Sequence, residues 1–505
     1  MPTGGFLLVL AVVVPATGVV LAMALGGRQA ERIAMTAMPA GLCIALAIAA
    51  DIWQARTPIT YHLGGWVPPL GIALRADGLS AIMAVTTAVV IGAIGLFART
   101  GFSVPEGAQD ARAPMAFWTL LMGVWAGLNA VWFGADLFTL YVALELLTFG
   151  AVPLVALDGR AETLAAALRY LLFALLGSVM YLLGVALFYG AYGTLDIALL
   201  SGLVRAEPVV WVAVALMTAG LIAKTALFPL HLWLPPAHAG APAAASALLS
   251  ALVVKGSFVL IVRIWFDTVP SLLNQAAAQM LAALGAMAIV FGSVLALRQE
   301  RLKLLIAYST IAQIGYLFFL FPLAAAPLAV ASGTTQLWTG VAWTGGVLQL
   351  VSHAVAKAAM FMAAGLIAEA LGHDRIAGLG GITRALPMTV FAFGLGGMSL
   401  MGLPPSGGFV AKAMLLMAAV AEGQWWWSVV ILAGGLLAAG YVFRVLTPAL
   451  ATTDAPLTLQ AHVSSGRQGV VLALAICALL LGLVPLRPSL LLEVGRHVPA
   501  AVTAP

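Results

Sequence analysis

The chain has 505 residues, of which 63% are hydrophobic and only 8% carry a charge. Soluble domains carry about 25% charged residues, so this composition excludes a soluble protein. Apolar runs of about 17 to 25 residues, long enough to cross the hydrocarbon core of a bilayer, recur from end to end. The net charge of +5 comes from arginines spread over short loops, a pattern typical of orientation signals and not of a nucleic-acid-binding patch. The sequence therefore predicts an all-α polytopic membrane protein.

About fourteen transmembrane helices are predicted in this chain. The first run, Phe6 to Leu25, has no basic segment before it and many apolar runs after it, so we expect a retained helix and not a cleaved signal. The longest loop, Asp51 to Gly78, contains the stretch Trp-Val-Pro-Pro and is expected at the membrane interface. The predicted spans are 6–25, 33–50, 79–98, 115–133, 137–157, 164–190, 209–230, 243–264, 276–297, 304–324, 341–370, 388–421, 425–446 and 469–486.

The basic residues of the loops predict the orientation of the chain. Alternate loops divide them into two groups, and the first group is about twice as large as the second. The positive-inside rule then places the first group in the cytoplasm and both termini on the outer side. The first group is Arg28, Arg32, Arg99, Arg112, Arg160, Arg169, Arg298, Arg301, Lys303, Arg375, Arg384, Arg444 and Arg467. The second group is Arg56, Arg75, Arg205, Arg263, Arg487 and Arg496.

Two predicted spans, the seventh and the twelfth, are interrupted in the middle by proline and glycine. The first interruption runs from 228 to 242, and the second is the stretch GLPPSGG at 402–408. Broken helices at membrane depth are tolerated only around a protein-lined or hydrated cavity. The interruptions lie five spans apart, and an odd offset inverts the second unit relative to the first. We therefore predict two inverted five-helix repeats with broken helices 7 and 12.

Ionisable side chains inside the spans are rare, and they are functional by default because a charge in hydrocarbon is energetically expensive. The chain has five lysines, and four of them fall inside spans: Lys224, Lys255, Lys357 and Lys412. Glu145 lies in the middle of the fifth span, and we expect it to form with Lys224 a pair whose opening and closing moves protons. The alternatives are a protonated packing carboxyl at Glu145 and a lysine that snorkels to an interface.

Histidines add to this set of polar residues. His353 and Lys357 stand four residues apart, which puts both on one face of a helix and favours a relay step. A hydrogen-bonded core histidine is the alternative. His231 and His238 lie in the first interruption, where they would gate entry or lie at the interface. The sequence thus predicts a midplane proton pathway through Glu145, Lys224, Lys255, His353, Lys357 and Lys412.

Motifs for metals, cofactors and catalysis do not stand out in this sequence. Cys43 and Cys477 fall inside separate spans, and the residues around His353 do not have metal-ligand spacing. There is no Walker loop, Rossmann fingerprint or haem motif. We expect no metal, no cofactor, and no ATPase or NADH-oxidising site in this chain alone.

Several long stretches of the sequence resemble a known family. They are YVALELLTFGAVPLVAL, KTALFPLHLWLPPAHAGAPAAASALL, RLKLLIAYSTIAQIGYL, SHAVAKAAMFMAAG and GLPPSGGFVAKAMLL. They resemble the proton-conducting antiporter-like subunits shared by respiratory complex I, Mrp-type cation/proton antiporters and membrane-bound hydrogenases. The resemblance covers roughly spans 3 to 13.

The resemblance implies a fold and a role for each matching residue. The fold has fourteen helices, with two inverted units at spans 4–8 and 9–13. In this family pattern, Glu145 pairs with Lys224, Lys255 is the central connecting lysine, and His353 and Lys357 link the two halves. Lys412 matches the terminal group of the second channel, where some members carry glutamate. The implied division of the chain is 1–114, 115–264, 276–446 and 447–505.

The resemblance leaves open which member of the family this chain is. The stretch GGWVPPLGIALRADGLSAIM before span 3 looks most like the D subunit of Mrp antiporters. The expected partners are then other membrane subunits, the lipid bilayer of the cell inner membrane, and protons with Na⁺ or K⁺. The alternative is a proton-pumping subunit of an NADH-quinone oxidoreductase or a membrane-bound hydrogenase. A stand-alone solute transporter and a purely structural subunit are further alternatives, which the deep lysines disfavour.

Overall fold

A computed structural model of the chain describes residues 3–104, 111–325, 333–451, 459–483 and 488–496. Arg487 and the end of the predicted last span, at 486, lie outside the described residues. The described chain is almost entirely helical, and its one sheet has two short strands.

The N-terminal half of the chain contains ten helices and the sheet. They are α1 (Thr3–Leu25), α2 (Gly27–Ala55), β1 (Ile59–His62), β2 (Ala73–Ala76), α3 (Gly78–Ala98), α4 (Arg112–Phe133), α5 (Leu137–Val155), α6 (Ala161–Tyr192), α7 (Ile197–Leu203), α8 (Pro208–Thr225), α9 (Leu234–Gly240) and α10 (Ala243–Thr268). Helix α10 changes to π-helical geometry at Leu249–Val253 and again at Arg263–Thr268.

The C-terminal half is helical throughout its described segments. Its helices are α11 (Gln275–Arg298), α12 (Leu302–Ala324), α13 (Gly333–Leu371), α14 (Ile382–Ala385), α15 (Pro387–Met401), α16 (Gly407–Ala421), α17 (Trp425–Leu450), α18 (Ser465–Leu483) and α19 (Pro488–Leu492). Helix α12 loosens briefly after Leu317 and resumes at Leu320. Short 3₁₀ turns occupy Leu63–Gly65, Pro270–Leu272 and Ile376–Gly378.

Within the described residues, thirteen helices are long and apolar enough to cross a membrane. Helices α15 and α16 are shorter apolar helices that follow each other across the second interruption, where one further span was predicted. The predicted all-α fold with about fourteen transmembrane helices is therefore confirmed. Helices α10 and α13 are almost completely buried by other helices, which places them at the centre of the protein.

The first interruption differs in detail from the prediction. Helix α8 ends at Thr225 because Ala226 adopts a left-handed conformation with φ of 57°. The predicted span at 209–230 is thus too long at its end, and the short helix α9 lies inside the stretch predicted as broken. Pro229 restricts the backbone of the residue before it, and this favours an end of the helix upstream of the proline. Residues 226–233 separate the two helical pieces.

The second interruption matches the predicted one closely. Helix α15 ends at Met401, where Gly402 takes the left-handed conformation with φ of 80°. Ser406 then caps α16 by accepting a hydrogen bond from the backbone N–H of Phe409 at 3.2 Å. A serine cap satisfies one of the free N–H groups at a helix start, which favours a new helix at this point.

The loop between α2 and α3 contains a β-hairpin that the all-helical prediction missed. Strands β1 and β2 pair antiparallel, with Thr60 opposite Arg75 and His62 opposite Ala73. Alternate residues of a strand point to opposite faces, and the polar members of these pairs face one side together. At the hairpin tip, Trp66 and Leu70 are exposed, which agrees with the expected interfacial position. The alternating segment has only four residues and was too short to stand out in the sequence.

Two helix crossings bring backbones unusually close. A Cβ atom on Gly220 of α8 would lie 2.3 Å from the carbonyl oxygen of Gly177 in α6. Gly285 of α11 and Gly315 of α12 meet in the same way, with a Cβ on Gly315 falling 2.3 Å from the oxygen of Gly285. Small residues permit such close packing of helices in membranes. The first crossing fixes how near Lys224, one turn beyond Gly220, comes to α6.

We expect Gly220→Ala to destabilise the protein by about 1–3 kcal/mol, because the added methyl group has no space between α6 and α8. The measurement is the apparent unfolding temperature of the purified complex. Gly190→Ala in α6 is the matched control, since a Cβ there meets no atom within 4 Å. Equal unfolding temperatures for the two variants would show that the crossing tolerates expansion.

Candidate functional site

Glu145 and Lys224 form an ion pair between α5 and α8. Lys224 Nζ lies 3.1 Å from Glu145 Oε1 and 3.0 Å from Thr148 Oγ1. Glu145 and Thr148 stand three residues apart on α5, so both face the end of α8. Ser178 of α6 donates a hydrogen bond to the same carboxylate oxygen. The Lys224 side chain is 6% exposed and that of Glu145 is 14% exposed, so the pair is largely shielded from the surroundings.

A small cavity beside Lys224 has a volume of about 10 Å³. Thr148, Tyr170 and Ser257 supply its polar lining, and this volume is close to the minimum that holds one water molecule. Thr225 donates a hydrogen bond to Ser257 at 2.9 Å. Polar contacts thus continue from α8 to α10, two residues from Lys255.

Lys255 is fully buried in α10 and has a backbone partner. Its ammonium donates to the carbonyl oxygen of Ser250. Ser250 lies in the π-helical segment Leu249–Val253, where the backbone departs from regular α-helical hydrogen bonding. The π segment therefore offers a carbonyl group to the ammonium at the centre of the protein.

Lys357 of α13 also binds a backbone carbonyl. Its Nζ lies 2.9 Å from the carbonyl oxygen of Ile306 in α12 and donates to the hydroxyl of Ser309. His353 lies one turn before Lys357 and is buried, but neither of its ring nitrogens has a partner among the described residues. The charges of Lys255, Lys357 and Lys412 all act on this imidazole. His353 and Lys357 therefore share one face of α13 in the buried centre of the protein.

Lys412 lies in α16, and its side chain reaches back across the second interruption. Its Nζ is 2.5 Å from the carbonyl oxygen of Leu400 and 4.1 Å from the centre of the Tyr316 ring. Lys224 lies in the last turn before the first interruption, whereas Lys412 follows the second interruption. The long side chain returns the ammonium to the last turn of α15, so the two charges still lie near the ends of corresponding half-helices.

The two histidines of the first interruption are both buried. The ring of His231 lies 5.7 Å from that of Phe228, measured between centres. His238 is in α9 and stacks at 4.5 Å on Phe361 of α13. Both ring nitrogens of His238 have no partner among the described residues. A gating role and an interfacial position for these histidines both stay predictions.

Several hydroxyl-bearing residues of the site were missed in the sequence. In the sequence they are serines and threonines inside apolar spans. Such residues are common in membrane helices, so their presence alone does not indicate a functional role. The residues that contact the predicted charges or one another are Thr148, Ser178, Thr225, Ser250, Ser257, Ser309 and Thr310. Among the described residues, no cluster of three or more His, Cys, Asp or Glu side chains is arranged to hold a metal ion.

A second charged cluster lies at the other end of α10. Arg263 donates to both carboxylate oxygens of Asp77, with the Oδ1 contact at 2.8 Å, and to Asp267 at 2.7 Å. Arg263 was counted among the loop charges, but it lies inside α10. Burial opposes ionisation of Asp77, and the Arg263 guanidinium overcomes this effect and holds the pKa of Asp77 below its ordinary value of 3.8. Asp77 also caps α3 by accepting from the Ser80 N–H.

The charged cluster borders a cavity of about 700 Å³. The polar face of the β-hairpin forms one wall, with Thr60, His62 and Arg75, and α7 forms another. Arg263 and Asp267 complete the lining. The hairpin, α7 and α10 are therefore held around one polar cavity at this end of the protein.

Residues 134–438 match the family described as NADH:quinone oxidoreductase/Mrp antiporter, transmembrane. The match covers more than half of the chain and includes every residue of the predicted pathway. The chain belongs to this family.

Individual relatives come from both branches of the family. The chain is 34% identical to the N subunit of the NADH-quinone oxidoreductase of Desulforudis audaxviator, over 78% of this chain and 75% of the relative. It is 28% identical to the D subunit of the Na⁺/H⁺ antiporter of Alkalihalophilus pseudofirmus, over 75% of this chain and 73% of the relative. A chain of the Mrp complex from Dietzia sp. DQ12-45-1b has the same fold, with a TM-score of 0.84, 24% identity and coverage of 96% and 95% of the two chains.

Asp77→Asn should destabilise the protein by about 3 kcal/mol near neutral pH, because Arg263 loses one of its two buried carboxylates. The depressed pKa means that the Asp77 contribution is present above pH 3.8 and is lost as the pH falls through the lower folded-state value. In acid, the wild type should therefore be no more stable against unfolding than the variant. Apparent unfolding temperatures measured against pH test this expectation.

Asp158→Asn is the control for this substitution, since Asp158 pairs with a well-exposed Arg160 at the surface. An exposed ion pair contributes below about 1 kcal/mol. An equal effect of the two substitutions, or a wild-type advantage that persists in acid, would contradict the role given to Asp77.

Proposed function

We propose that the chain is a proton-translocating subunit of a multi-subunit cation/proton antiporter, corresponding to the Mrp-type D subunit. Membership of the family and the likeness to the D subunit of an Na⁺/H⁺ antiporter support this proposal. The observation that carries it is the Glu145–Lys224 contact of 3.1 Å inside a membrane-spanning bundle. An acid and an amine that share a proton in hydrocarbon are the simplest switch that a membrane protein can build.

The proposed pathway begins at this pair. When the pair is closed, each charge stabilises the other. When Lys224 moves away from Glu145, both groups lose their counter-charge, and neutralising them by proton transfer becomes favourable. The cavity next to Thr148 and Ser257 leads from Lys224 towards α10, where Lys255 lies.

The second part of the proposed pathway runs through the C-terminal half. Lys255, His353 and Lys357 lie close enough for their charges to interact, and Lys412 completes the line at the second interruption. A positive charge that arrives at one of these groups disfavours charge on the next, so protons advance in steps. His231 and His238 are proposed to control access at the first interruption, where their rings pack against Phe228 and Phe361.

We further propose how the chain is divided and placed. Residues 115–264 and 276–446 form the two inverted units, while 1–114 and 447–505 flank them. The protein lies in the cell inner membrane with both termini on the outer side, as the loop charges indicate. Its partners are other membrane subunits of the same complex, and the transported ions are protons with Na⁺ or K⁺.

The second candidate function is a proton-pumping subunit of an NADH-quinone oxidoreductase or a membrane-bound hydrogenase. The likeness to the N subunit of an NADH-quinone oxidoreductase favours it. Both candidates use the same pathway and differ in the energy source, which neighbouring subunits supply. A stand-alone solute transporter is disfavoured because the deep ionisable groups beside the interruptions are mainly lysines, which suit protons.

Replacing Glu145 by Gln or Lys224 by Met should abolish proton-coupled transport and leave assembly of the complex intact. Each substitution keeps the size of the side chain and removes one half of the switch. The measurement is the pH change inside proteoliposomes that contain the whole complex. Glu162→Gln is the control, because Glu162 is exposed in the first turn of α6. Normal transport by both site variants would refute the proposed role.

The two candidate functions predict different partners. An antiporter should co-purify with membrane subunits only and should transport protons in response to an imposed Na⁺ or K⁺ gradient. A redox pump should co-purify with an NADH- or hydrogen-oxidising subunit. Mass spectrometry of the affinity-purified native complex separates the two, and an oxidising partner would overturn the antiporter assignment.

A further inference from the structure

A hydroxyl bridge joins the two halves of the protein next to the central lysines. The side-chain oxygens of Ser250 in α10 and Thr310 in α12 lie 2.9 Å apart, and either one can donate the hydrogen bond. Both side chains are completely buried. This contact connects residues 60 positions apart in the chain, across the boundary between the two proposed inverted units.

Each end of the bridge leads to a lysine. On one side, the carbonyl oxygen of Ser250 accepts from the Lys255 ammonium. On the other, Thr310 Oγ1 donates at 2.9 Å to the carbonyl oxygen of Ile306, which also accepts from Lys357 at 2.9 Å. Lys357 thus shares the Ile306 oxygen with Thr310, whereas Lys255 binds the backbone carbonyl of Ser250 and not its bridging hydroxyl.

We propose that Ser250 and Thr310 are positioning residues that couple the charge of Lys255 to that of Lys357. This inference deepens the proposed function, on which its consequence for transport rests. The bridge does not carry the proton itself, because carbonyl groups stand between the hydroxyls and the two ammonium groups. When one lysine gains or loses its charge, the hydrogen bond between Ser250 and Thr310 reverses its direction. This reversal transmits the change to the other lysine.

The direction of the bridge decides whether the Ile306 carbonyl oxygen accepts a hydrogen bond from Thr310. When Ser250 donates, Thr310 donates onward to Ile306 and shares that oxygen with Lys357. When Thr310 donates to Ser250, the Ile306 oxygen is left to Lys357 and to Ser309, which donates to it at 2.8 Å. In a buried environment of low dielectric, the charge of each ammonium acts strongly on the O–H dipoles beside it, across the Ser250 backbone on one side and at the shared Ile306 oxygen on the other. A charge on Lys255 therefore favours one direction, and a charge on Lys357 favours the other.

The geometry of Ser250 distinguishes this bridge from ordinary helix packing. Serine and threonine in membrane helices commonly bond to a carbonyl one turn back on their own helix. Thr310 does this through Ile306, as does Thr86 of α3 through Ile82 at 2.7 Å. Ser250 instead makes its side-chain contact with the neighbouring helix, from a π-helical segment whose carbonyl holds Lys255.

Substitutions at Thr310 test the bridge in transport. Thr310→Val keeps the shape of the side chain and removes the hydroxyl, and Thr310→Ser restores the hydroxyl. In proteoliposomes of the whole complex, we expect Thr310→Val to lower turnover on the order of tenfold at an unchanged half-saturating cation concentration. Thr310→Ser should recover most of the loss.

Thr86→Val is the control, since Thr86 has the same bond to its own helix and no bridge. Turnover that is unchanged in Thr310→Val, or equally low in Thr310→Ser, would overturn the proposal.

A second measurement does not depend on transport. Lys255→Met and Lys357→Met, alone and combined, should change the apparent unfolding temperature of the complex non-additively in the wild-type background. In the Thr310→Val background the non-additivity should become smaller, because the bridge is gone and only the direct interaction of the two charges remains. The same non-additivity in both backgrounds would overturn the bridge. Absence of proton transport by the wild type would instead overturn the proposed function alone.

Discussion

An ammonium group inside a membrane needs oxygen atoms within hydrogen-bonding distance, because a bare charge in hydrocarbon costs several kcal/mol. Within the part of the chain that the structure describes, Lys224 is the only one of the four deep lysines that meets this need with a carboxylate. Lys255, Lys357 and Lys412 meet it with backbone carbonyl groups of Ser250, Ile306 and Leu400. A regular helix uses almost all of its carbonyl groups internally, so such partners are found where a helix changes geometry or ends. The π segment of α10 and the end of α15 supply two of them at this depth.

The kind of partner divides the lysines into two chemical groups. Glu145 can accept the proton of Lys224, so this pair stores a proton in either of two places. A backbone carbonyl stabilises an ammonium but does not accept its proton, so Lys255, Lys357 and Lys412 exchange protons only with water or with another side chain. The first group suits a switch and the second suits a relay. This difference follows from the partners and would not follow from the four lysines alone.

The sequence predicted those features for which a residue type plays the same role in nearly every membrane protein. Long apolar runs predicted the spans, and charges inside those runs predicted Glu145 and the four lysines. The sequence did not predict features that depend on which residues are in contact in the folded protein. The carbonyl partners are backbone groups, which the sequence does not distinguish from other backbone groups. The π-helical turn at Leu249–Val253 is built from buried residues that would also suit a regular helix. Serine and threonine have ordinary packing roles in most spans, so Ser250 and Thr310 became notable only when their oxygens were found 2.9 Å apart.

The crossing of α6 and α8 at Gly177 and Gly220 has a consequence for the speed of the switch. Backbones in direct contact leave no room for one helix to slide over the other, because interiors at this density do not deform continuously. In the proposed switch, movement of Lys224 relative to α6 is then a rotation of its own side-chain bonds. Collective helix movements take microseconds to milliseconds, and the crossing leaves sliding of α8 over α6 out of the proposed switch. The rigid crossing thus keeps the mobile part of the switch small, at four methylene groups and one ammonium.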